Sequence, residues 1–525
     1  MARFFNTAGP CIPGDHYLLP PERRLPEIRR LIEQKSYFVI HAARQSGKTT
    51  LLRALAENLR REGTFAALVA SCESGQSIEP DLTGSIDAVL HELRREARLQ
   101  LPPELQPPEL DAAVPARSRV LDLLGRWAQT CPRPIVLLLD EVDALFGDAL
   151  VSLLRQLRSG FPSRPQAFPQ AVALVGLRDV RDYRLLAGAE EIHLGTSSPF
   201  NVKAESLTLR NFKAEEVGEL YRQHTAEQGQ PFTDEAIARA FELTGGQPWL
   251  VNALARQCVE VLEPDPARPI TRETVDAAKD LLIQRRDTHL DSLIDRLREG
   301  RVRRVIAPIL AGDLLPLDLL DDDVAFVLDL GLVRVGAQGL ELANPIYAEI
   351  VPRALTQNLE ASLALPSPIY LTAGGQLDFT KLMQDFRGFW LAGAEAFLAR
   401  APYSEAAAQL VFMAFLHKIV NGGGAIEREL AVGRGRTDLC VYWPYREDGQ
   451  KKIQKIAIEL KVWRSGASNP EKAGIEQLTG YLERLELEQG TLLIFDARPE
   501  AASLPHRQKT EKRQHKGRAI EIWWL

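Results

Sequence analysis

Cysteine is scarce in this chain: five among 525 residues (Cys11, Cys72, Cys131, Cys258 and Cys440), with no Cys-x-x-Cys pair. That usage excludes a disulfide scaffold, argues against a zinc site and fits a reducing cytoplasm. The nine histidines form no HxH or HxxxH cluster. No apolar run approaches the roughly 18 residues that span a bilayer, so no membrane partner is expected. The N-terminus, Met-Ala-Arg-Phe-Phe-Asn-Thr, lacks an apolar signal core, so secretion is not expected. The chain is not basic as a whole: its net charge is −6. Any nucleic-acid contact must therefore come from local patches. One candidate patch is Arg507, Lys509, Lys512, Arg513, Lys516 and Arg518, opposed by Glu511; a second is Arg296, Arg298, Arg301, Arg303 and Arg304. Each reads equally as a contact surface or as a solvated face.

What is present is ordinary globular composition, 45% apolar and 26% charged, in a chain long enough for three or four domains. No internal repeat is visible. Pro-rich stretches at Leu101–Pro115 and Leu365–Leu377 read as a surface loop and an interdomain linker respectively. Tyr37–His41, Phe65–Ala70, Ile135–Leu139 and Ala171–Gly176 are short apolar runs with helical patterns between them. Runs of this kind are expected of strands in a parallel, doubly wound sheet. From about Lys203 to Arg285 the pattern becomes all helical, with a Thr244-Gly245-Gly246 break. Residues 286–360 outline a winged helix, with short strands at Leu332–Val335 and Leu340–Ala343. The expected division is 1–202 for the doubly wound core, 203–285 for an all-helical segment, 286–360 for a winged helix, 361–377 for a linker and 378–525 for a C-terminal α/β domain.

Residues 42–49 read Ala-Ala-Arg-Gln-Ser-Gly-Lys-Thr, a phosphate-binding loop with Ala42 in place of the first glycine. Arg44, Gln45, Ser46, Gly47, Lys48, Thr49 and Thr50 are the expected nucleotide-binding residues. Backbone N–H groups at the helix start would face the phosphates. Lys48 would reach the β- and γ-phosphates and Thr49 would ligate Mg²⁺. Ile135–Leu139 ends in Asp140-Glu141, which places Asp140 near the Mg²⁺ and Glu141 as base or water orienter.

These motifs resemble a prokaryotic AAA-like ATPase of the STAND or archaeal-ATPase type over the first 350 residues. Gly176–Tyr183 resembles the sensor region of that group. Ser198-Pro199-Phe200-Asn201 and Gly245-Gly246-Gln247-Pro248 resemble its lid markers, and Asn344-Pro345-Ile346-Tyr347 the end of its winged helix. The resemblance implies ATP rather than GTP, and a switch in which lid and winged helix rearrange with the nucleotide state. Arg178 or Arg181 would sense the γ-phosphate or act across a subunit boundary. Pairing with Asp179 or Asp182 is the equal alternative.

Near the C-terminus stand Gly435-Arg436-Thr437-Asp438 and, twenty-one positions after the aspartate, Glu459-Leu460-Lys461. Period-two arithmetic puts Glu459 and Lys461 on one face of a strand and Ile456, Ile458 and Leu460 on the other, with Asp438 opposite in face to Leu439 and Val441. Two close carboxylates repel unless a cation lies between them. Oxygen ligands suit Mg²⁺ or Mn²⁺, and Lys461 would polarise the attacking water. Pro444–Gln454 reads as a loop. The αβββαβ order over 405–496 resembles the restriction-endonuclease-like fold. Glu429, Asp438, Glu459, Lys461, Gln477 and Tyr481 resemble the PD-(D/E)xK nuclease pattern, with Thr437 where that pattern leads with proline and Glu427 an alternative to Glu429. The expected metal ligands are thus Thr49 and Asp140 in one site and Glu429, Asp438 and Glu459 in the other.

The resulting expectation is a multidomain α/β protein: a P-loop NTPase with helical lid and winged helix, joined to a restriction-endonuclease-like domain. It would be an ATP switch coupled to a Mg²⁺-dependent nuclease acting on DNA, with RNA an alternative, in the cytoplasm and in a defence role. Homo-oligomerisation through the ATPase and an activating protein partner are expected with it. The rival is a signalling ATPase whose winged helix binds DNA or protein and whose nuclease-like domain is inactive.

Overall fold

The computed structural model describes residues 3–76, 81–145, 147–176, 184–187, 190–193, 203–285, 294–310, 321–336, 339–362, 370–400, 407–420, 425–429, 438–447, 449–498 and 509–525. The chain divides into two compact units, one formed mainly by residues 1–282 and the other by most of 283–525.

In the first unit the order is α1 (Glu27–Glu33), β1 (Tyr37–His41), α2 (Lys48–Glu62), β2 (Ala66–Ser71), α3 (Leu82–Gln100), α4 (Ala116–Thr130), β3 (Ile135–Asp140), α5 (Gly147–Gly160) and β4 (Ala171–Gly176). A short antiparallel pair, β5 (Arg184–Ala187) and β6 (Glu190–His193), precedes β7 (Lys203–Thr208). The main sheet runs β2-β3-β4-β1-β7 and every pairing is parallel. Its strands β1 to β4 are short apolar runs because helices cover both faces. Tyr37, Val39, Leu68 and Leu137 pack toward α3, α4 and α5. Phe38, Ile40, Ala67 and Leu138 pack toward α1 and α2. Each fully buried Leu or Ile contributes roughly 1.5–3 kcal/mol, so the β-strand alternation fixes which helix layer each residue holds.

The expectation that residues from Lys203 onward are all helical is corrected here. Lys203–Thr208 is the fifth strand, paired with β1. It is an edge strand with half-exposed residues such as Glu205, so it lacks the apolar run that marks its neighbours.

The helices α6 (Ala214–Gln228), α7 (Asp234–Thr244), α8 (Pro248–Gln257) and α9 (Arg272–Arg285) follow, with a π-helical turn at Cys258–Leu262. Thr233 caps α7 through Ala236 N (3.1 Å), and Gln247 caps α8 through Leu250 N (2.6 Å). Between them Gly246 has φ +71°, and a Cβ there would collide with the Phe212 carbonyl. Gly246→Ala is therefore expected to destabilise this unit by roughly 2–4 kcal/mol, read as a lowered midpoint in denaturant unfolding.

The second unit begins with α10 (Gly300–Leu310), α11 (Asp322–Asp329), the antiparallel hairpin β8 (Val333–Gly336) and β9 (Gly339–Leu342), and α12 (Pro345–Ser362). Asn344 caps α12 by accepting from Tyr347 N (2.9 Å). Then come α13 (Phe379–Arg400), α14 (Ala407–Val420), β10 (Ala425–Glu429), β11 (Asp438–Glu447), β12 (Gln450–Trp463), α15 (Glu471–Arg484), β13 (Gln489–Asp496), β14 (Lys509–His515) and β15 (Arg518–Trp524). The six-stranded sheet has order β10-β11-β12-β13-β15-β14, with β12–β13 and β13–β15 parallel and the other pairs antiparallel. One face packs on α13 and α14 through Leu439, Val441, Ile458, Leu460, Leu493 and Phe495. The other packs on α15 through Cys440, Ala457, Leu492, Ile494 and Ile522.

Two further expectations change. Residues 370–377 are not a free linker: Tyr370 and Leu377 are buried in the first of these cores. Pro444–Gln454 is not a loop but the outer half of the β11–β12 hairpin. Residues 509–515 form a strand against β15, whose Trp523 and Trp524 are buried in the domain. None of the five cysteines is in a disulfide.

Candidate functional site

Two groups of chemically suited residues emerge, one in each unit. In the first, β1 delivers the chain into a tight loop that opens α2. Positive φ falls at Gln45 (56°) and at Gly47 (89°), not at Ala42. The alanine at the loop's first position is therefore tolerated, since only positive φ penalises a Cβ. Gly47 is the residue ahead of α2, so the first-turn N–H groups of the helix are free to face an anion. Ser46 Oγ is buried and has no hydrogen-bond partner among the described residues. Lys48 Nζ donates to the carbonyls of Ala42 (2.7 Å) and Ala43 (2.9 Å), spanning the loop. Thr49 Oγ1 donates to Asp140 Oδ2 at 2.6 Å. Burial pushes the Asp140 carboxyl above its ordinary range, with Thr49 opposing and Glu141 adding to the rise. A hydroxyl and a buried carboxylate so placed fit a small, hard cation, and the loop's donors fit a phosphate chain.

Glu141 stands at φ 54°, a left-handed conformation unusual for this residue. Its carboxylate accepts from Ser71 Oγ (2.7 Å), and its N–H donates to Asp140 Oδ1 (3.0 Å). The side chain is exposed while its backbone is over-determined, as strain at reacting residues often is. Glu73 lies beside it, and the charge of Glu141 raises the Glu73 carboxyl.

Burial pulls the Lys48 ammonium down to about 8, against the attraction of Asp140. A bound polyphosphate favours the charged amine, so binding raises that value. ATP affinity is accordingly expected to be flat below about pH 8 and to fall about tenfold per unit above it, until the bound-state value is reached. Titration of a fluorescent ATP analogue from pH 7 to 10 reads this directly. Lys48→Arg, which keeps its charge throughout, should flatten the profile.

Two supports were invisible in the sequence. Arg24 is buried; its Nη1 donates to the Ser46 carbonyl (2.7 Å) and its Nε to the Arg210 carbonyl (2.8 Å), with the Phe212 ring 5.0 Å away. Burial, then Arg210, brings its pKa down to about 10. Its partners lie far along the chain, so no local spacing betrays it. Ser71, ending β2 opposite Asp140, is the second. Thr50, expected at the nucleotide, instead turns its hydroxyl to Cys11 N (3.0 Å). The N-terminal segment also binds α8, Trp249 Nε1 donating to Thr7 O (2.8 Å) and Arg256 to Thr7 Oγ1 (2.9 Å). Arg178, Arg181 and residues 198–201 lie outside the described residues.

In the second unit the register sets Glu429 opposite Asp438 and Asp438 opposite Glu459. Directly paired antiparallel positions share a sheet face and lie about 4.5–5.5 Å apart at Cα. Three acidic positions therefore form one row across three strands. Glu459 is fully buried, and its Oε1 lies 2.5 Å from Lys461 Nζ. Gln477 Oε1, on α15, is buried without a hydrogen-bond partner among the described residues. Tyr481 belongs to the core beside Leu478 and Leu492, with the Arg484 guanidinium 5.6 Å from its ring. Side chains of Glu427, Glu429 and Asp438 lie outside the described residues. Among the described ones, no three His, Cys, Asp or Glu side chains form a metal-binding group. No described helix is long and apolar enough to cross a membrane.

Residues 23–168 match the family model of the AAA ATPase domain. No curated protein matches the chain. Among solved structures, a Walker-type ATPase of Pyrococcus abyssi is similar at 14% identity, with 66% of this chain and 99% of that one covered and a TM-score of 0.47. The RuvB Holliday junction branch migration motor of Thermotoga maritima is similar at 16% identity, covering 63% and 92%, with a TM-score of 0.34. Cdc6p from Pyrobaculum aerophilum is similar at 14% identity, covering 65% and 94%, with a TM-score of 0.36. The loop geometry and the matched family model support an AAA-type P-loop ATPase domain over residues 23–168.

Proposed function

We propose that the AAA-type ATPase domain of this chain is a nucleotide-driven switch for a metal-dependent nuclease in the C-terminal α/β domain, acting on DNA. In the first unit Lys48 and the N–H groups of the loop would bind the phosphates, Thr49 and Asp140 would hold Mg²⁺, and Glu141 would orient the attacking water. Bound Mg²⁺ would supply charge neutralisation at the transferring phosphoryl group. Arg24 keeps the loop in register by clamping the Ser46 carbonyl.

The observation that carries the nuclease reading is the cross-strand row Glu429–Asp438–Glu459, with Lys461 two residues beyond on the same face. Three adjacent acids raise one another's proton affinity unless a divalent cation shares them. With Mg²⁺ or Mn²⁺ bound there, the metal would lower the pKa of a coordinated water. Lys461 orients that water, and the buried Glu459 holds the amine at 2.5 Å. Gln477 offers its buried amide to the same face.

The test is incubation of supercoiled plasmid with Mg²⁺, using wild type and Asp438→Asn. Nicking or linearisation by wild type, lost with EDTA and in the variant, is the expected result. DNA binding without cleavage in Mg²⁺ or Mn²⁺ would instead favour an inactive nuclease-like domain that only binds.

A further inference from the structure

We propose that the outer half of the β11–β12 hairpin is a docking track for the phosphate backbone of duplex DNA, leading to the acidic row. This rests on the nuclease reading and names how its substrate is held. Among the described residues, β10 pairs with β11 as far as Tyr442, and β13 pairs with β12 from Ile458. Beyond those points the hairpin continues as a two-stranded ribbon, to Glu447 opposite Gln450. A two-stranded ribbon has a width that fits the major groove of a duplex.

The two faces of the ribbon differ. One carries Trp443, Tyr445 and Gln454 and is covered by residues 370–378. Trp443 Nε1 donates to Gly375 O (3.1 Å), while Gln454 accepts from Leu377 N (2.7 Å) and donates to Leu377 O (3.1 Å). These hydrogen bonds tie one face of the ribbon to its own unit. Period two places the other face on the side of Asp438 and Glu459. It carries Tyr442, Pro444 and Arg446 on β11 and Lys451, Ile453 and Lys455 on β12. All but Tyr442 are exposed, Ile453 at 62%. No acidic residue of either strand lies on this face between Asp438 and Glu459. The ribbon's acid, Glu447, points to the opposite side and pairs with Lys452 at 2.5 Å.

Several cations of the other two basic patches are already paired with acids, Lys512, Lys516 and Arg518 apart. Lys509 and Arg513 both pair with Glu511, and Arg513 also lies 3.8 Å from Glu471. Arg296, Arg298, Arg301 and Arg304 pair with Glu299, Asp295 and Asp323. Among the described residues, no ion pair involves Arg446, Lys451 or Lys455. Distance fits as well. At about 3.4 Å per residue, Lys455 and Lys451 stand about 14 and 27 Å from Glu459 along the strand. Duplex DNA advances about 3.4 Å per nucleotide of one strand. The cations thus keep step with the phosphate backbone some four and eight nucleotides from the cut.

The test uses the full-length chain carrying Asp438→Asn, so that nothing is cut, and a labelled 30-base-pair duplex titrated at several salt concentrations. Adding Arg446→Ala, Lys451→Ala and Lys455→Ala is expected to weaken binding roughly 10- to 100-fold at moderate salt. The slope of log affinity against log salt should shrink by about three, near 0.9 per lost contact. Circular dichroism and ATP binding of the variant should match the parent, since the three side chains are exposed. Unchanged affinity and slope overturn the proposal, as does failure of the parent to bind duplex, or ribbon-dependent binding of single-stranded RNA in its place. The nuclease reading fails separately. Ribbon-dependent duplex binding with no cleavage by wild type removes that reading and leaves the track. Wild-type cleavage that the three substitutions leave unchanged removes the track and leaves the nuclease.

Discussion

Glu141→Gln is expected to bind ATP almost as tightly as wild type and to hydrolyse it about 10²–10⁴-fold more slowly, the usual span for losing a positioned base. The amide is isosteric and still accepts from Ser71 Oγ, now 2.7 Å from the carboxylate. The φ of 54° is a backbone property that the swap leaves alone. Only the proton-accepting group is lost, so the defect should fall on kcat rather than on affinity. Lys48→Ala should fail at the earlier step. Lys48 is the cation that spans the loop, and losing its charge-assisted bonds to phosphate costs about 1.5–3 kcal/mol each. A drop in ATP affinity of about 10²-fold or more follows. Steady-state hydrolysis and equilibrium titration separate the two variants, and undiminished hydrolysis by both would refute the site.

Lys461→Ala carries the second large effect: loss of DNA cleavage by about 10²-fold or more, measured as the single-turnover rate on plasmid in Mg²⁺. Its interpretation needs care because Lys461 lies 2.5 Å from a fully buried carboxylate. Removing one partner of a buried pair costs about 3–5 kcal/mol, so lowered thermal stability is expected beside the catalytic loss. Asp438→Asn separates the two, since it leaves the Glu459–Lys461 pair in place and removes charge from the acidic row. Cleavage should be lost in both variants, and stability only in Lys461→Ala. Retained cleavage in a folded Asp438→Asn protein would remove the acidic row from the chemistry.

The sequence made some of this legible and hid the rest for physical reasons. β1 to β4 were readable because strands covered on both faces are unbroken apolar runs, as in Ile135–Asp140. β7 was not, because an edge strand keeps polar residues such as Lys203 and Glu205. The shared face of Asp438 and Glu459 was readable from period two alone, and the register pairs them directly. The ribbon was missed because Pro444, five charged residues and a glycine lower its strand propensity. Cross-strand pairing and the distant segment 370–378 override that weakness. Asp448-Gly449, with Gly449 at φ 78°, is the hairpin-turn signal that was available. Arg24 and Ser71 had no such signal, since their roles depend on contacts spanning 22 and 70 positions.

The central claim is that one chain couples nucleotide occupancy to DNA cutting, and its most direct test is the plasmid cleavage rate in Mg²⁺ as ATP is titrated, for wild type and Lys48→Ala. The account predicts a wild-type rate that changes with ATP across the range where ATP binds, and a variant rate that does not respond. Metal-dependent cleavage that is identical at every ATP concentration for both proteins, or no cleavage by either, would contradict it.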